Sequence, residues 1–558
     1  MAALKHIDAR KAVYLLAVAA VAYALFFYNL GGYSLKEPDE GRYAEIPREM
    51  VEQGNYLVPH LDYVRYFEKP PLLYWACAAS YKIFGVSEWS FRLPNAVFAV
   101  LCVLATWLLA ARLFSMEAGF LSAVILMTSF GFFGMARIAT IDMLFSFLLS
   151  VAVFSFNEFY WTGMRRFLYV LSVSLALAVL AKGPAAVILP AVTVVIFLLT
   201  EKRFSFFKEV ASWQALVVFV AIAVPWFVII CVKEREFFRF FFIDQNILRF
   251  VTTRHNRSGP LYYFLPVLFG GLFPWSVFIP RAAARFWKMR ELRLLSIWCC
   301  VVFVFFSFSG SKLPPYILPL FPAASVILGC LIAEMRRERI QPVGETIVYA
   351  FFLALVAVAG LAMWYGRADL LLSDVAGSAS LPEGFNSLSL WMLAVSLLAL
   401  VALTAQEARG PTGLFVLLAA FSVAVCVGIL VHVRVIDRFD TTKELALTAR
   451  QAQRGDAVVV NYGAFDETLP FYLGRRIYLA DYKGELEMGS KYPDSEGTFL
   501  GQDAFLRLFR SDRPVFVVFK ERRIDRLRGL GIEEAPVLCR ADRCLIANGS
   551  ASAALPGR

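Results

Sequence analysis

Apolar runs long enough to cross a lipid bilayer recur along almost the whole of this 558-residue chain. A spanning helix needs about 20 mainly apolar residues. Such runs fall near 12–30, 92–113, 118–134, 143–161, 167–181, 184–200, 213–232, 262–280, 293–309, 316–333, 346–365, 388–405 and 413–432, about thirteen in all. Hydrophobic residues make up 59% of the chain and charged residues 18%, against about 45–50% and about 25% in soluble domains. A soluble enzyme, a disordered chain and a disulfide-stapled secreted scaffold are excluded. The fold expected is an α-helical polytopic membrane protein. The first run follows a basic stub and reaches no small-residue cleavage site, so an anchor is expected rather than a signal peptide.

Lysine and arginine set the expected orientation. With the N terminus in the cytoplasm, the short inside segments carry Lys5, Arg10, Lys11, Arg165, Arg166, Lys202, Arg203, Arg281, Arg285, Arg336 and Arg337, while the short outside turns carry few cations. This matches the positive-inside rule and accounts for much of the net charge of +11, with no need for a nucleic-acid partner. Three polar regions then face outside: 31–91, 233–261 and the tail 433–558. The first contains PPLLYWACAASYKIFG and the second alternates Phe with Arg, both suited to an interfacial helix. The tail alternates helical and strand-like patterns (DAVVVNY, RIYLAD, PVFVVF), which predicts a small α/β domain after a membrane domain covering 1–432. Seven cysteines lie in or beside apolar runs. Cys539 and Cys544 stand apart in the tail, where an extracytoplasmic location would permit a local disulfide.

Four groups of residues have chemical potential. KEPDEGRYAE, at 36–45, crowds Glu37, Asp39, Glu40 and Glu45 with Arg42 and Tyr43 just after the first run. Such a set can bind a cation, position a sugar or serve acid/base work, or it is simply a solvated acidic loop. In YFEKPPLLYW, at 66–75, Pro70 and Pro71 fix the backbone after Glu68 and Lys69. Lys69 suits a phosphate, although a snorkelling lysine would look the same. Asp142, five residues after Arg137, sits at the mouth of a span, where an ionisable group is expensive and is either functional or a helix cap. Lys182, Arg254, His255 and Lys312 stand at the outer ends of different runs, with Tyr316 at the same level, and could converge on an anion. His60, His255 and Glu68 form a possible divalent-metal set for Zn, Mg or Mn, without the tight spacing that marks a zinc helix. No phosphate-binding glycine loop and no serine elbow appears, which argues against an ATP-driven pump.

The order of these motifs resembles the GT-C membrane glycosyltransferases, and within them the protein O-mannosyltransferase-like branch. It comprises a first span, an outside loop with PDEGRYAE, then YFEKPPLLYW, then Arg137 and Asp142. The resemblance covers the whole chain. It implies a sugar donor carried on undecaprenyl phosphate, here 4-amino-4-deoxy-L-arabinose, and the phosphates of lipid A as acceptor. It implies Asp39 and Asp142 as catalytic acids, with Lys69 at the carrier phosphate and Arg254 as a second phosphate contact by loop position. Arg42, Tyr43, Arg137, Tyr316, Lys182 and Lys312 are further substrate-binding candidates. It also implies a multi-pass bacterial inner-membrane protein acting on the periplasmic side, working among membrane lipids and expected as a monomer. Two alternatives share part of this pattern. A protein O-glycosyltransferase would keep the fold and offer a peptide groove. A polyprenyl-lipid transporter would place ionisable residues deep in several spans and show repeat symmetry, and neither is evident in the sequence.

Overall fold

The computed structural model describes residues 9–248, 259–286, 289–365, 385–405, 410–433, 442–451, 457–534, 536–540 and 542–552. The chain forms two compact units: residues 1–30 with 95–432, and residues 31–94 with 433–558. The expected division after residue 432 is kept, and what differs is that residues 31–94 fall with the tail and not with the membrane unit. The tail is not a unit by itself, because the first outside loop folds with it.

In the first unit a helix occupies each expected apolar run. Six helices are long and apolar enough to cross a membrane: Glu88–Leu113, Ile141–Thr162, Trp213–Lys233, Pro314–Glu338, Val343–Trp364 and Pro411–Val431. Two bent pairs bring the number to eight among the described residues, and Ala12–Phe27, Ala185–Thr200 and Asn386–Ala402 are shorter apolar helices. The expected count of thirteen therefore exceeds the helices that meet the length and composition of a span.

The bent pairs correct two runs read as continuous. Met116–Thr128 and Phe130–Arg137 meet at 65°, and Leu261–Gly271 and Trp275–Arg285 at 112°. Broken backbone in an apolar setting needs partners for its polar groups, and the two breaks supply them to each other. The Phe130 amide donates to Phe273 O at 3.3 Å, and Trp275 Nε1 donates to Thr128 Oγ1 at 2.9 Å. Glycine permits the approach: a methyl group at Gly131 would lie 2.9 Å from Gly271 Cα.

In the Phe-rich segment 233–261, as far as it is described, part of the surface packs inward. Phe237 and Phe241 are buried, stacked on each other at 5.3 Å and packed on Phe227 of the preceding helix. One face of the segment is core rather than lipid-facing.

The second unit is built on a six-stranded sheet of order β5-β4-β3-β6-β8-β7. Its strands are β3 (Val458–Tyr462), β4 (Tyr478–Ala480), β5 (Phe499–Leu500), β6 (Val515–Lys520), β7 (Leu538–Arg540) and β8 (Arg543–Ala547). The first four run parallel, β8 runs antiparallel to β6, and β7 runs antiparallel to β8. Val458, Val460, Val515 and Val517 pack with Phe505 and Phe509 of the helix Gln502–Phe509, and Val459, Phe516 and Val518 on the other face are buried too, which is why the central strands read as unbroken apolar runs. Cys539 and Cys544 face each other across the β7–β8 register and form a disulfide. The helix Asp39–Gln53 belongs to this unit, as does the short hairpin β1 (His60–Leu61) and β2 (Val64–Arg65).

Candidate active site

In the second unit the candidate residues gather at the first turn of Asp39–Gln53. Asp39 and Glu40 open that helix, where carboxylates complement the positive end of the helix dipole, and Gly54 in the left-handed region ends it at φ 67°. Glu40 is wholly buried and bound at both oxygens by Arg92, at 2.8 and 2.7 Å. Arg92 also donates to the carbonyls of Tyr33 and Ser34. With the Lys36 amide, which donates to Glu40 at 3.0 Å, this pair fixes the loop that presents the turn.

Arg42 is the hub. Its guanidinium holds Asp39 at 3.2 Å and Glu467 at 3.5 Å, and Nε donates to Glu485 at 3.0 Å. Asp39 keeps 44% of its side chain exposed, against 10% for Arg42, so the aspartate is anchored on one side and open on the other. The Tyr66 ring lies 6.0 Å from the guanidinium, and Tyr43 packs on Tyr74 at 6.0 Å. The hydroxyls of Tyr66 and Tyr74 are buried without a hydrogen-bond partner, and both feel the charges of Arg42, Glu68 and Glu485. Burial raises the carboxyls of Glu467 and Glu485 above the ordinary range; the charge of Glu485 adds to the first, and Arg42 opposes the second. Burial likewise lowers Arg42, but Glu485 and its other acidic neighbours outweigh it and drive its pKa up, so it stays charged. Glu37 accepts from the amides of Glu467 and Thr468, each at 3.0 Å.

Sequence reasoning singled out Arg42, but as a substrate ligand; here it is a structural hub committed to carboxylates. It missed Glu467, Glu485, Tyr66 and Tyr74. The two glutamates come from a tail segment more than four hundred residues away, and no local pattern could have shown that. Glu68 and Lys69 lie half-buried in the turn that Pro70 and Pro71 close before the helix Leu72–Phe84.

Of the expected metal set only His60 and Glu68 fall among the described residues. The acidic partner of His60 is Asp494, at 3.8 Å from Nε2, and Arg65 holds that same carboxylate at 2.9 Å. No three His, Cys, Asp or Glu residues gather as ligands among the described residues. His255 and Arg254 lie outside the described residues.

In the first unit a second constellation forms around Asp142, in the first turn of Ile141–Thr162. Lys182 ends Arg165–Lys182 and binds Asp142 Oδ1, while Thr140 Oγ1 donates to Oδ2 at 3.4 Å. The ammonium also lies 4.9 Å from the Tyr316 ring and 5.1 Å from that of Phe145. Asp142, Lys182 and Tyr316 are therefore brought together as a site. Lys312 is buried and donates to Ser309 O at 2.7 Å within its own loop. Arg137 is redirected: its guanidinium donates to the carbonyls of Leu25, Tyr28 and Asn29 at 2.9–3.1 Å. It closes the end of the first helix, whose last carbonyls lack helical partners, which corrects its expected role as a phosphate ligand.

Comparison with known proteins defines the class. The model for dolichyl-phosphate-mannose-protein mannosyltransferase matches residues 11–241, and the aminoarabinose transferase C-terminal domain matches 445–548. A crystal structure of ArnT from Cupriavidus metallidurans bound to undecaprenyl phosphate superposes with a TM-score of 0.85 at 25% identity, covering 98% of this chain and 99% of that one. The fold and these matches make the chain a GT-C membrane glycosyltransferase that depends on a polyprenyl-phosphate sugar. A relative from Erwinia tasmaniensis is 30% identical over 512 residues, covering 88% of this chain and 90% of the relative. One from Shewanella sediminis is 27% identical over 519 residues, at 89% and 91%. Both bear one name, and this chain belongs to their family, the undecaprenyl phosphate-α-4-amino-4-deoxy-L-arabinose arabinosyl transferases.

Proposed function

We propose that this chain moves 4-amino-4-deoxy-L-arabinose from undecaprenyl phosphate to the phosphate groups of lipid A, at the periplasmic face of the bacterial inner membrane. The end-to-end likeness to relatives named for that donor carries the reading, together with a neighbour solved with undecaprenyl phosphate. The lysine and arginine distribution supports a cytoplasmic N terminus.

In the reaction an acceptor phosphate oxygen bonds to sugar C1 as the bond from C1 to the carrier phosphate breaks, and the electron pair leaves on the carrier. Lys69 and Arg254 are assigned to the departing phosphate, whose growing charge fixed cations stabilise. A phosphate acceptor is already ionised near neutral pH, so Asp39 is not needed as a base. Its role is positioning: it is held by Arg42 and half open to solvent. The carboxylates of Glu68 and Glu485, with the two unpartnered tyrosine hydroxyls, suit the ammonium of an amino sugar.

The test is mass spectrometry of lipid A from a bacterium lacking the activity, complemented with the native chain or with Asp39→Asn. An added aminopentose with the native chain alone supports both acceptor and residue. Full transfer by Asp39→Asn removes Asp39 from the mechanism. Unchanged lipid A with a folded native chain overturns the acceptor, and a protein hydroxyl becomes the next one to test.

A further inference from the structure

Around the turn at Gly85, in the second unit, Ile83, Phe84, Val86 and Trp89 are all exposed, Ile83 by 72%. The rings of Phe84 and Trp89 meet edge to face at 5.3 Å, so the cluster is an ordered apolar knuckle. It stands at the start of Glu88–Leu113, a helix long and apolar enough to cross a membrane. Exposed apolar side chains at the mouth of a span belong with lipid rather than with water.

Directly beside the knuckle is a cavity of about 500 Å³, within the roughly 300–1,000 Å³ range of small-molecule sites. Its wall carries both signs of charge: Arg48, Lys443 and Arg450 on one hand, Glu52 and Glu88 on the other, with Phe471 among its apolar lining. Lys443 pairs with Glu88 at 2.5 Å. Arg450 is exposed and makes one long hydrogen bond, 3.4 Å to the Tyr472 carbonyl. Glu52 is 47% exposed and bound on one side by Arg48. A simple anion entering here would meet two carboxylates, and a simple cation would meet three cations. A ligand with a phosphate and an ammonium one short linker apart meets neither conflict.

We propose that this cavity binds the head group of a membrane phospholipid carrying a phosphate and a primary ammonium, a phosphoethanolamine head. Lys443 and Arg450 take the phosphate, Glu52 takes the ammonium, and the acyl chains lie along the knuckle. The primary ammonium matters because it donates hydrogen bonds to a carboxylate, which a quaternary choline head cannot do.

The experiment uses the full-length chain purified in detergent, titrated with phosphatidylethanolamine, phosphatidylglycerol or phosphatidylcholine, with retained lipid counted by native mass spectrometry. Phosphatidylethanolamine is expected to bind about tenfold more tightly than either other lipid. Arg450→Ala and Lys443→Ala each weaken all three lipids by about tenfold and leave their order unchanged, and Arg450→Lys keeps most of the affinity. Glu52→Gln, on the opposite and exposed wall, brings phosphatidylethanolamine down to the level of phosphatidylglycerol and serves if a cation variant fails to fold. Equal binding of the three lipids overturns the proposal, as does unchanged phosphatidylethanolamine affinity in Arg450→Ala or unchanged preference in Glu52→Gln. Displacement of the bound lipid by the amino-sugar donor also overturns it, since the cavity would then be a substrate subsite.

Discussion

The ammonium of Lys182 binds the carboxylate of Asp142 and faces the ring of Tyr316 at 4.9 Å. Two residues forty positions apart thus form one unit, with 15% and 12% of their side chains exposed. Removing one partner leaves the other charge poorly solvated, which costs about 3–5 kcal/mol when a pair is fully buried and less here. Lys182→Met is expected to lower the melting temperature and cut transfer by about a hundredfold. Lys182→Met with Asp142→Asn is expected to recover stability but not transfer. A thermal-melt and kinetic double-mutant cycle checks both; strictly additive melting losses would show the pair to be independent.

Glu485 reaches Arg42, and Arg42 reaches Asp39. Glu485→Gln is therefore expected to leave expression and folding intact while reducing transfer about tenfold or more, and Glu485→Asp is expected to retain part of it. The measurement is donor turnover with purified chain. Wild-type kcat and KM in Glu485→Gln would detach the tail from the site.

Arg137→Ala is expected to act on stability. Three backbone carbonyls lose their donor, at about 1–3 kcal/mol for each buried group left unsatisfied. The variant should melt earlier and yield less protein, while the surviving fraction keeps its donor KM. A raised KM at unchanged melting temperature would restore the phosphate-ligand reading.

Glu49 and Asp62 are buried, and each leaves one oxygen without a partner. Glu49 accepts from the Tyr63 amide at 2.9 Å, and Asp62 accepts from the Ile477 amide at 2.8 Å. Burial raises both carboxyls well above their ordinary values, with neighbouring carboxylates such as Glu45 adding to it. The folded chain then keeps protons that the unfolded chain has lost. Stability from these groups is full below the ordinary carboxylate pKa of about 4 and declines as pH rises toward the raised values. Glu49→Gln, neutral at every pH, is expected to flatten the fall in melting temperature as pH rises above about 4. An identical slope in wild type and variant would place the pH dependence elsewhere.

Much of the membrane unit was legible because span length and apolarity are local properties. The breaks were not: at Ser129 and at Phe273–Pro274 the apolar run continues unbroken, and only the partner break shows why the backbone turns there. In the site, Asp142, Lys182 and Tyr316 were each marked as charged or aromatic groups at span ends, and the structure joins them. Arg137 looked the same in sequence and serves the backbone instead, because a guanidinium reads identically whether carbonyls or phosphates take its hydrogens. The tail's fold was legible from its Val-rich strands. Its debt to the first loop was not, since the contacts of Glu37 with Thr468 and of Asp62 with Ile477 join distant parts of the chain.

That second unit is made from residues 31–94 and 433–558, with the entire intervening chain between its halves. During synthesis the helix Asp39–Gln53 emerges early, with Glu49 and Glu45 destined for burial, yet the strands that complete its unit are made last. Closing so large a loop is slow and comes late. The first loop must therefore wait, unfinished, through the insertion of every later helix, and a ribosome that stops short of the tail releases an anchored chain whose Arg42 never meets Glu467 or Glu485. A copy cut short of the tail lacks the two glutamates that hold Arg42, and through it loses the anchor of Asp39.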